Sequence, residues 1–162
     1  MRVPIRYLPD KLTRGDRKRQ GSMLIKSKKM YKKHQYYTRK RVASFKSTPS
    51  PHILRARKIY NVQNIAPNKE LSLKTGCKLS ALNKIVRKGE GAYYSSGSRP
   101  NQTPQSWGLA RLASSLTSGK AAVVDYGIIN KGCNHKKRAF ILANNALKKY
   151  GNGGRKTKKV YI

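Results

Sequence analysis

Two cysteines and one histidine are the residues of this chain best suited to binding a metal. Cys133 and His135 are one residue apart, and Cys77 lies far upstream, so three candidate zinc ligands are present. Structural zinc sites use four ligands at wider spacings than Cys-x-His. No fourth ligand is evident, so we expect thiols and no metal. Two cysteines also give no disulfide framework, which makes a reducing compartment the expectation.

Catalytic chemistry is not indicated either. General acid–base catalysis needs titratable groups that converge, and the chain carries neither a His-Glu-x-x-His motif nor a nucleophile elbow. Its few acidic residues are isolated in the sequence: Asp10, Asp16, Glu70, Glu90 and Asp125. We therefore expect no enzyme, no cofactor and no small-molecule substrate.

Charge is the strongest signal in the sequence. The 162 residues include 38 lysines and arginines against five acids, a formal net charge of +33. Five carboxylates cannot neutralise that excess, so the chain is expected to contact an external polyanion. Residues 1–60 carry 19 basic side chains and residues 135–162 carry nine, so two basic segments flank a nearly neutral middle.

Within the first segment, Lys28 to Arg41 alternates cations with tyrosines, which suits phosphate contact together with stacking. The candidate polyanion contacts are the clustered cations near both ends: Arg17, Lys18, Arg19, Lys28, Lys29, Lys32, Lys33, Arg39, Lys40, Arg41, Arg155, Lys156, Lys158 and Lys159. The other interpretation of 28–41 is a solvated charge run whose tyrosines cover the domain.

The predicted fold class is mainly α, a small helical domain with an extended basic N-terminal arm and a short basic C-terminal tail. Residues 1–50 are expected to form the arm, with at most one helix from Ser22 to Lys33; residues 51–151 form the compact domain and 152–162 the tail. Caps, apolar periodicity and glycine stops predict the helices: 51–60, 68–76, 79–88, 105–118 and 137–150. Residues 121–129 suit a helix or a strand, and a helix is favoured.

Glu70 to Lys88 resembles a helix-turn-helix, because Gly76 permits a sharp turn between two short apolar-faced helices. The exposed side of the second helix would then face phosphates or bases through Lys78, Asn83, Lys84, Arg87 and Lys88. Any helical hairpin around a glycine fits the same pattern, so plain packing is the alternative interpretation.

The composition of residues 89–103, rich in glycine, serine and proline, predicts a loop. Adjacent tyrosines and one arginine in such a loop favour contact with the loop's own domain or with a neighbouring subunit. The residues expected to make these contacts lie in or just after the loop: Tyr93, Tyr94, Ser95, Ser96, Arg99, Asn101, Gln102 and Trp107.

Membrane insertion and secretion are not indicated. The longest clean apolar run is Ala121 to Val124, far short of the roughly 18 residues a span needs. The first residues lack the apolar core of a signal peptide.

Several short motifs resemble a family of small basic proteins encoded by nucleocytoplasmic large DNA viruses, the algal chloroviruses and mimivirus relatives. They include Lys-Met-Tyr-Lys-Lys (29–33), Tyr-Tyr-Thr-Arg-Lys-Arg-Val (36–42), Ser-Phe-Lys-Ser (44–47), Lys-Thr-Gly-Cys (74–77), Gly-Glu-Gly-Ala-Tyr-Tyr-Ser-Ser-Gly-Ser-Arg-Pro-Asn-Gln-Thr (89–103), Ser-Trp-Gly (106–108), Ala-Arg-Leu-Ala-Ser (110–114) and Gly-Lys-Ala-Ala-Val-Val-Asp-Tyr (119–126). The resemblance implies a virion-associated protein and brings no active site with it.

Charge and resemblance together predict a non-enzymatic virion protein, a minor capsid or core component. Its expected partners are capsid or other virion proteins, and DNA or anionic lipid at the inner face of the shell is a further candidate. A helix-turn-helix DNA-binding protein encoded by a virus is one alternative. A ribosomal protein is another, because basic tails that thread RNA have a similar composition.

Overall fold

A computed structural model describes residues 1–151 and 158–162, and it confirms a mainly α fold. Within that part of the chain the elements run in this order: β1 Arg2–Pro4, a 3-10 turn Ile5–Tyr7, α1 Arg14–Tyr31, α2 Pro51–Tyr60, α3 Lys69–Thr75, α4 Leu79–Ser95, α5 Pro104–Ser115, α6 Lys120–Val124, α7 Tyr126–Gly132, α8 Arg138–Tyr150 and β2 Lys159–Tyr161. None of the described helices is long and apolar enough to cross a membrane.

The chain divides into two compact units rather than one domain with an arm and a tail. The N-terminal unit contains Met1–Thr48, Glu90–Trp107 and strand β2. The central unit contains Pro49–Gly89 and the stretch from Gly108 through α8. Helices α4 and α5 each contribute residues to both units.

The segment expected to be an extended arm is folded. Helix α1 begins at Arg14, well before the predicted Ser22, because Thr13 caps it and accepts a hydrogen bond from the Asp16 amide at 3.3 Å. The inner face of α1 buries Leu24, which packs with Val3, Tyr7 and Leu8 in a small apolar cluster. The charge density of this segment concealed a few well-placed apolar residues that give it a core of its own.

The C-terminal tail is also structured where it is described. Strand β2 pairs antiparallel with β1, Val160 opposite Val3, and Gly21 of α1 lies against the side chain of Ile162, so these residues belong to the N-terminal unit. Residues 152–157, which include the candidate contacts Arg155 and Lys156, lie outside the described residues.

The central unit follows the predicted helices closely. Helix α2 has the predicted bounds and ends at Asn61 in the left-handed conformation (φ 52°). Asn68 caps α3, accepting a hydrogen bond from the Leu71 amide at 2.8 Å, and Gly76 ends it with φ 75°. The core that these helices share includes Leu71, Leu82, Ile85, Leu112, Leu116 and Ile129.

Helix α4 does not stop at Gly89 as predicted but continues to Ser95, through the first part of the expected loop. A Cβ at position 89 would lie 2.6 Å from the Gly108 Cα of α5. Gly89 therefore allows two helices to pack backbone to backbone, a role that a single sequence does not distinguish from a helix stop.

Residues 121–129 are helical, as favoured, but form two short helices that meet at Asp125. Helix α8 packs on both. The helix predicted at 105–118 is α5, which ends earlier, at Ser115.

The expectation of free thiols is wrong. Cys77 and Cys133 form a disulfide with Cα atoms 3.9 Å apart. The backbones on either side also pair, because Lys78 N donates to Gly132 O and Asn134 N donates to Gly76 O, each at 2.8 Å. The bond therefore joins the α3–α4 turn to the end of α7. The described residues hold no group of three or more histidine, cysteine or acidic side chains placed to bind a metal.

Candidate polyanion interface

Few cations of this protein have an acidic partner. Among the described residues the ion pairs are Asp16 with Arg19 (3.9 Å) and Asp125 with Arg111 (2.7 Å) and Lys88 (3.5 Å). The excess of positive charge is therefore left at the surface, where it is available to an external anion.

Asp125 has a structural role inside the central unit. Arg111 donates to its carboxylate from Nε at 3.0 Å and from Nη2 at 2.7 Å, and Ser115 Oγ donates at 2.8 Å. The carboxylate is buried at the junction of α6 and α7. Because the guanidinium occupies both oxygens of the carboxylate, this acid is suited to holding α5 against that junction rather than to transferring a proton.

Asp16 fastens two parts of the N-terminal unit. Its carboxylate accepts hydrogen bonds from Ser44 Oγ at 2.6 Å and from Ser44 N at 2.8 Å. The Ser44 side chain first, then the Ser44 amide, holds the pKa of Asp16 below its ordinary value of 3.8.

The N-terminal unit carries most of the predicted polyanion contacts on its surface. On and after α1, the exposed members are Lys18, Arg19, Lys29, Lys32, Lys33, Lys40 and Arg41. Arg17 and Lys28 are partly buried, and the Arg17 guanidinium donates to Leu8 O at 2.6 Å. Lys158 and Lys159 are exposed beside strand β1. The exposed cations of α1 and of the segment that follows it, through Arg41, are together named here the α1 surface.

Arg39 differs from the other predicted contacts because it is buried, with 7% of its surface exposed. Its guanidinium donates to Ser27 Oγ (2.8 Å), Tyr93 O (2.9 Å) and Ser98 Oγ (2.9 Å), and lies 3.8 Å from the Tyr93 ring centroid. Burial lowers the pKa of Arg39. No carboxylate is among these partners, so Arg39 holds the unit together through neutral acceptors instead of facing a ligand.

An exposed aromatic group lies among the cations of the α1 surface. Tyr36 is 67% exposed, and its ring centroid lies 5.1 Å from that of Tyr94 and 6.2 Å from that of Tyr31. Lys32 and Lys33 precede it by four and three positions in the sequence, and Lys40 follows it by four. An exposed ring that contacts two others, with exposed lysines near it in the sequence, has the composition of a stacking platform for bases.

The residues of the predicted loop contact their own unit. Tyr93 is buried, and its hydroxyl accepts from Arg39 N at 2.8 Å. Asn101, left-handed with φ 61°, accepts from Val42 N at 2.7 Å and donates to Val42 O and Phe45 O. Trp107 packs edge-on against Tyr7 at 5.9 Å.

The remaining residues predicted to make contacts from this loop have local partners or are exposed. The Tyr94 carbonyl accepts a hydrogen bond from Ser27 Oγ, Ser95 Oγ donates to Gly91 O, and Gln102 accepts from Ser106 Oγ. Ser96 and Arg99 are exposed to solvent.

Helix α3, the left-handed Gly76 and helix α4 form the predicted helix–turn–helix order. Its five candidate residues separate into two groups. Lys78, Lys84 and Lys88 line a groove of about 460 Å³ together with Lys131 of α7. Asn83 and Arg87 do not line it. The structure thus brings together three of the predicted residues with one lysine that the sequence did not single out.

Lys131 was missed because its position depends on the disulfide. The residue lies two positions before Cys133, and the lysine at 78 follows Cys77 directly. Pairing of the two cysteines would have indicated that these two lysines lie close together.

Comparison with known proteins gives one match. No curated protein and no solved structure matches the chain. Residues 4–138, most of the chain, match a family described as "Family of unknown function (DUF5824)". This match takes in the α1 surface, the lysine groove and both cysteines. The protein therefore belongs to family DUF5824.

Proposed function

We propose that this protein is a non-enzymatic structural protein that binds nucleic acid through its phosphates, without reading sequence. The observation that carries the proposal is the unpaired charge: the net charge is +33, and in the described part of the chain only three cations meet an acid. Such a surface gains affinity by releasing counterions from a polyanion.

The α1 surface favours nucleic acid over acidic protein or anionic lipid. All three partners would satisfy the lysines, but only nucleic acid also offers flat bases to Tyr36. Acidic capsid proteins and anionic lipid are the competing partners, and the binding experiment below includes both.

For the biological setting, we propose a core or minor capsid component of a large DNA virus particle. The support is the motif resemblance between residues 29 and 126 together with the charge. Mass spectrometry of purified particles is the test. Particles that contain every other structural protein but lack this chain would contradict the setting while leaving nucleic-acid binding intact.

Fluorescence anisotropy with labelled DNA tests the function itself. We expect two unrelated sequences to bind with equal affinity, and log Kd to rise linearly with log salt between about 50 and 200 mM. Polyglutamate and anionic vesicles serve as competitors. Stronger binding to either of them than to DNA at equal charge would overturn the assignment to nucleic acid.

A second candidate function is sequence reading by the α3–α4 hairpin, which the left-handed Gly76 turn supports. Arg87 is exposed on α4 and outside the lysine groove, so it is free to reach a base edge. Arg87→Ala would then change which sequence is preferred, by about 1–3 kcal/mol at one position. If Arg87→Ala weakens binding to all DNA sequences equally, the hairpin binds phosphates and does not read sequence.

A further inference from the structure

The groove between α4 and the α6–α7 segment of the central unit is a second binding site, separate from the α1 surface. One wall carries Lys78, Ser80, Ala81, Lys84 and Lys88, and the other carries Val124, Gly127, Ile128, Lys131 and Gly132. We propose that this groove holds the sugar–phosphate backbone of a single nucleic-acid strand. The inference rests on the proposed function and deepens it by placing a specific site.

Charge indicates an anionic occupant. Four lysines line the groove, and all four are exposed. Among the described residues, the one acid that forms an ion pair with any of them is the buried Asp125, which Lys88 approaches at 3.5 Å and which Arg111 already engages with two hydrogen bonds. Lys78, Lys84 and Lys131 form no ion pair within the described residues. Like charges held around one concavity repel each other, and a bound anion relieves that repulsion.

The walls of the groove cannot separate to relieve the repulsion. The disulfide joins Cys77, next to Lys78, to Cys133, next to Gly132. A Cβ at Gly132 would lie 2.5 Å from the Ala81 Cβ, so the walls touch at the base of the groove. The backbone positions that carry the lysines are therefore held in place before any ligand arrives, which lowers the entropic cost of binding.

Size and lining favour a strand backbone over a duplex or bare bases. A volume of about 460 Å³ lies in the range of small-molecule pockets, too small to enclose a double helix. Among the described residues that line the groove none is aromatic, so bases have no ring there to stack on. Its uncharged surface comes from small or aliphatic residues, against which a sugar can pack. The lining of the groove therefore suits a strand whose phosphates contact the lysines and whose sugars pack against the small and aliphatic residues.

Gly127 provides a clean test. It is exposed on the groove wall, at the second residue of α7, and a Cβ there would meet nothing within 4 Å. Gly127→Glu therefore adds a negative charge to the groove without a clash, and an acid in the first turn of a helix is favourable to folding. Gly127→Gln adds the same bulk without charge.

Gln105 gives a matched control outside both the groove and the α1 surface. It is exposed at the second residue of α5, in the N-terminal unit. Gln105→Glu adds the same negative charge at the same helical position, and its change from glutamine to glutamate matches the comparison of Gly127→Gln with Gly127→Glu. All variants are measured as the full chain, with far-ultraviolet circular dichroism to establish that the helices are retained.

The experiment is anisotropy with a labelled oligothymidine of about 10 nucleotides at low salt. We expect Gly127→Glu to weaken binding at least about tenfold, and Gly127→Gln and Gln105→Glu to change it less than about twofold. Lys84→Ala should also lower the salt slope by about 0.7.

Three other results would overturn the inference. Equal weakening by both glutamates would mean that the groove is no site, although general phosphate binding would stand. If Gly127→Glu weakens binding but the wild-type chain binds polyglutamate more tightly than oligothymidine, the groove is a site for acidic protein. If the wild-type chain binds neither single-stranded nor duplex DNA, the proposed function fails along with the groove.

Discussion

At the scale of single residues, substitution of Tyr36 tests the proposed nucleic-acid partner against other polyanions. An exposed tyrosine that stacks on an unpaired base contributes about 1–3 kcal/mol, whereas it adds little to binding of a carboxylate. We expect Tyr36→Leu to weaken single-strand binding at least about fivefold and Tyr36→Phe to leave it nearly unchanged, since the ring is retained. Anisotropy with oligothymidine and with duplex DNA measures the difference. Equal losses for strand and duplex would argue against stacking.

Arg39 shows that charge alone does not identify a contact residue. Its partners Ser27, Tyr93 and Ser98 would be left with buried, unsatisfied acceptors if the guanidinium were removed. We expect Arg39→Ala to lower the free energy of unfolding of the N-terminal unit by about 3 kcal/mol, and the exposed Arg41→Ala to change it by less than about 0.5 kcal/mol. The single tryptophan, Trp107, lies in this unit and reports its unfolding by fluorescence. Similar values for the two variants would contradict the structural role.

The bond between Asp16 and Ser44 predicts a pH dependence. The pKa of Asp16 is lower in the folded state than its ordinary 3.8, so its contribution is complete above that value and is lost as the pH falls through the lowered folded-state pKa. We expect wild type to be more stable than Asp16→Asn at neutral pH, with the gap narrowing below about pH 4. Trp107 fluorescence in denaturant at each pH measures the gap. A gap that stays constant with pH would show that the carboxylate charge is not the cause.

At the scale of secondary-structure elements, local signals predicted most of the central unit. Asn68, Gly76 and Gly151 cap or stop helices where expected, because these choices depend on adjacent residues. Gly89 gave a wrong helix end because its role depends on close packing against Gly108, which is distant in sequence. The same reason explains the missed groove: Lys131 reaches it only because of a disulfide and a helix turn that no local pattern reveals.

The disulfide is the element-scale feature that is easiest to test. A bond closing a loop with a sequence separation of 56 is expected to stabilise the central unit by about 4 kcal/mol. Cys77→Ala with Cys133→Ala should therefore lower the midpoint of a far-ultraviolet melt and weaken oligothymidine binding at the groove. Addition of dithiothreitol to wild type should reproduce both changes, and should leave the double variant unaffected. Unchanged binding in the reduced protein would mean that the disulfide does not hold the groove in shape.

At the scale of the whole molecule, composition alone reveals the excess of positive charge, but it does not reveal how the basic segments fold. The basic N-terminal segment was expected to be an arm, since few hydrophobic residues separate its cations. Val3, Tyr7, Leu8 and Leu24 nevertheless give it a core. A basic composition therefore does not show which parts of the chain are folded, because a few apolar residues are enough to give a basic segment a core.

A folded protein with this much uncompensated charge should respond to salt in two opposite ways. Repulsion among the surface cations destabilises the compact state, and monovalent salt screens it, so the thermal midpoint should rise as NaCl increases from about 50 to 500 mM. The same ions compete with phosphates, so the affinity for DNA should fall over that range. Differential scanning calorimetry and anisotropy in identical buffers measure both. The opposite signs follow from a surface of unpaired cations. If the midpoint fell with salt, attractive ion pairs would be holding the fold, and the surface described here would not be free to bind a polyanion.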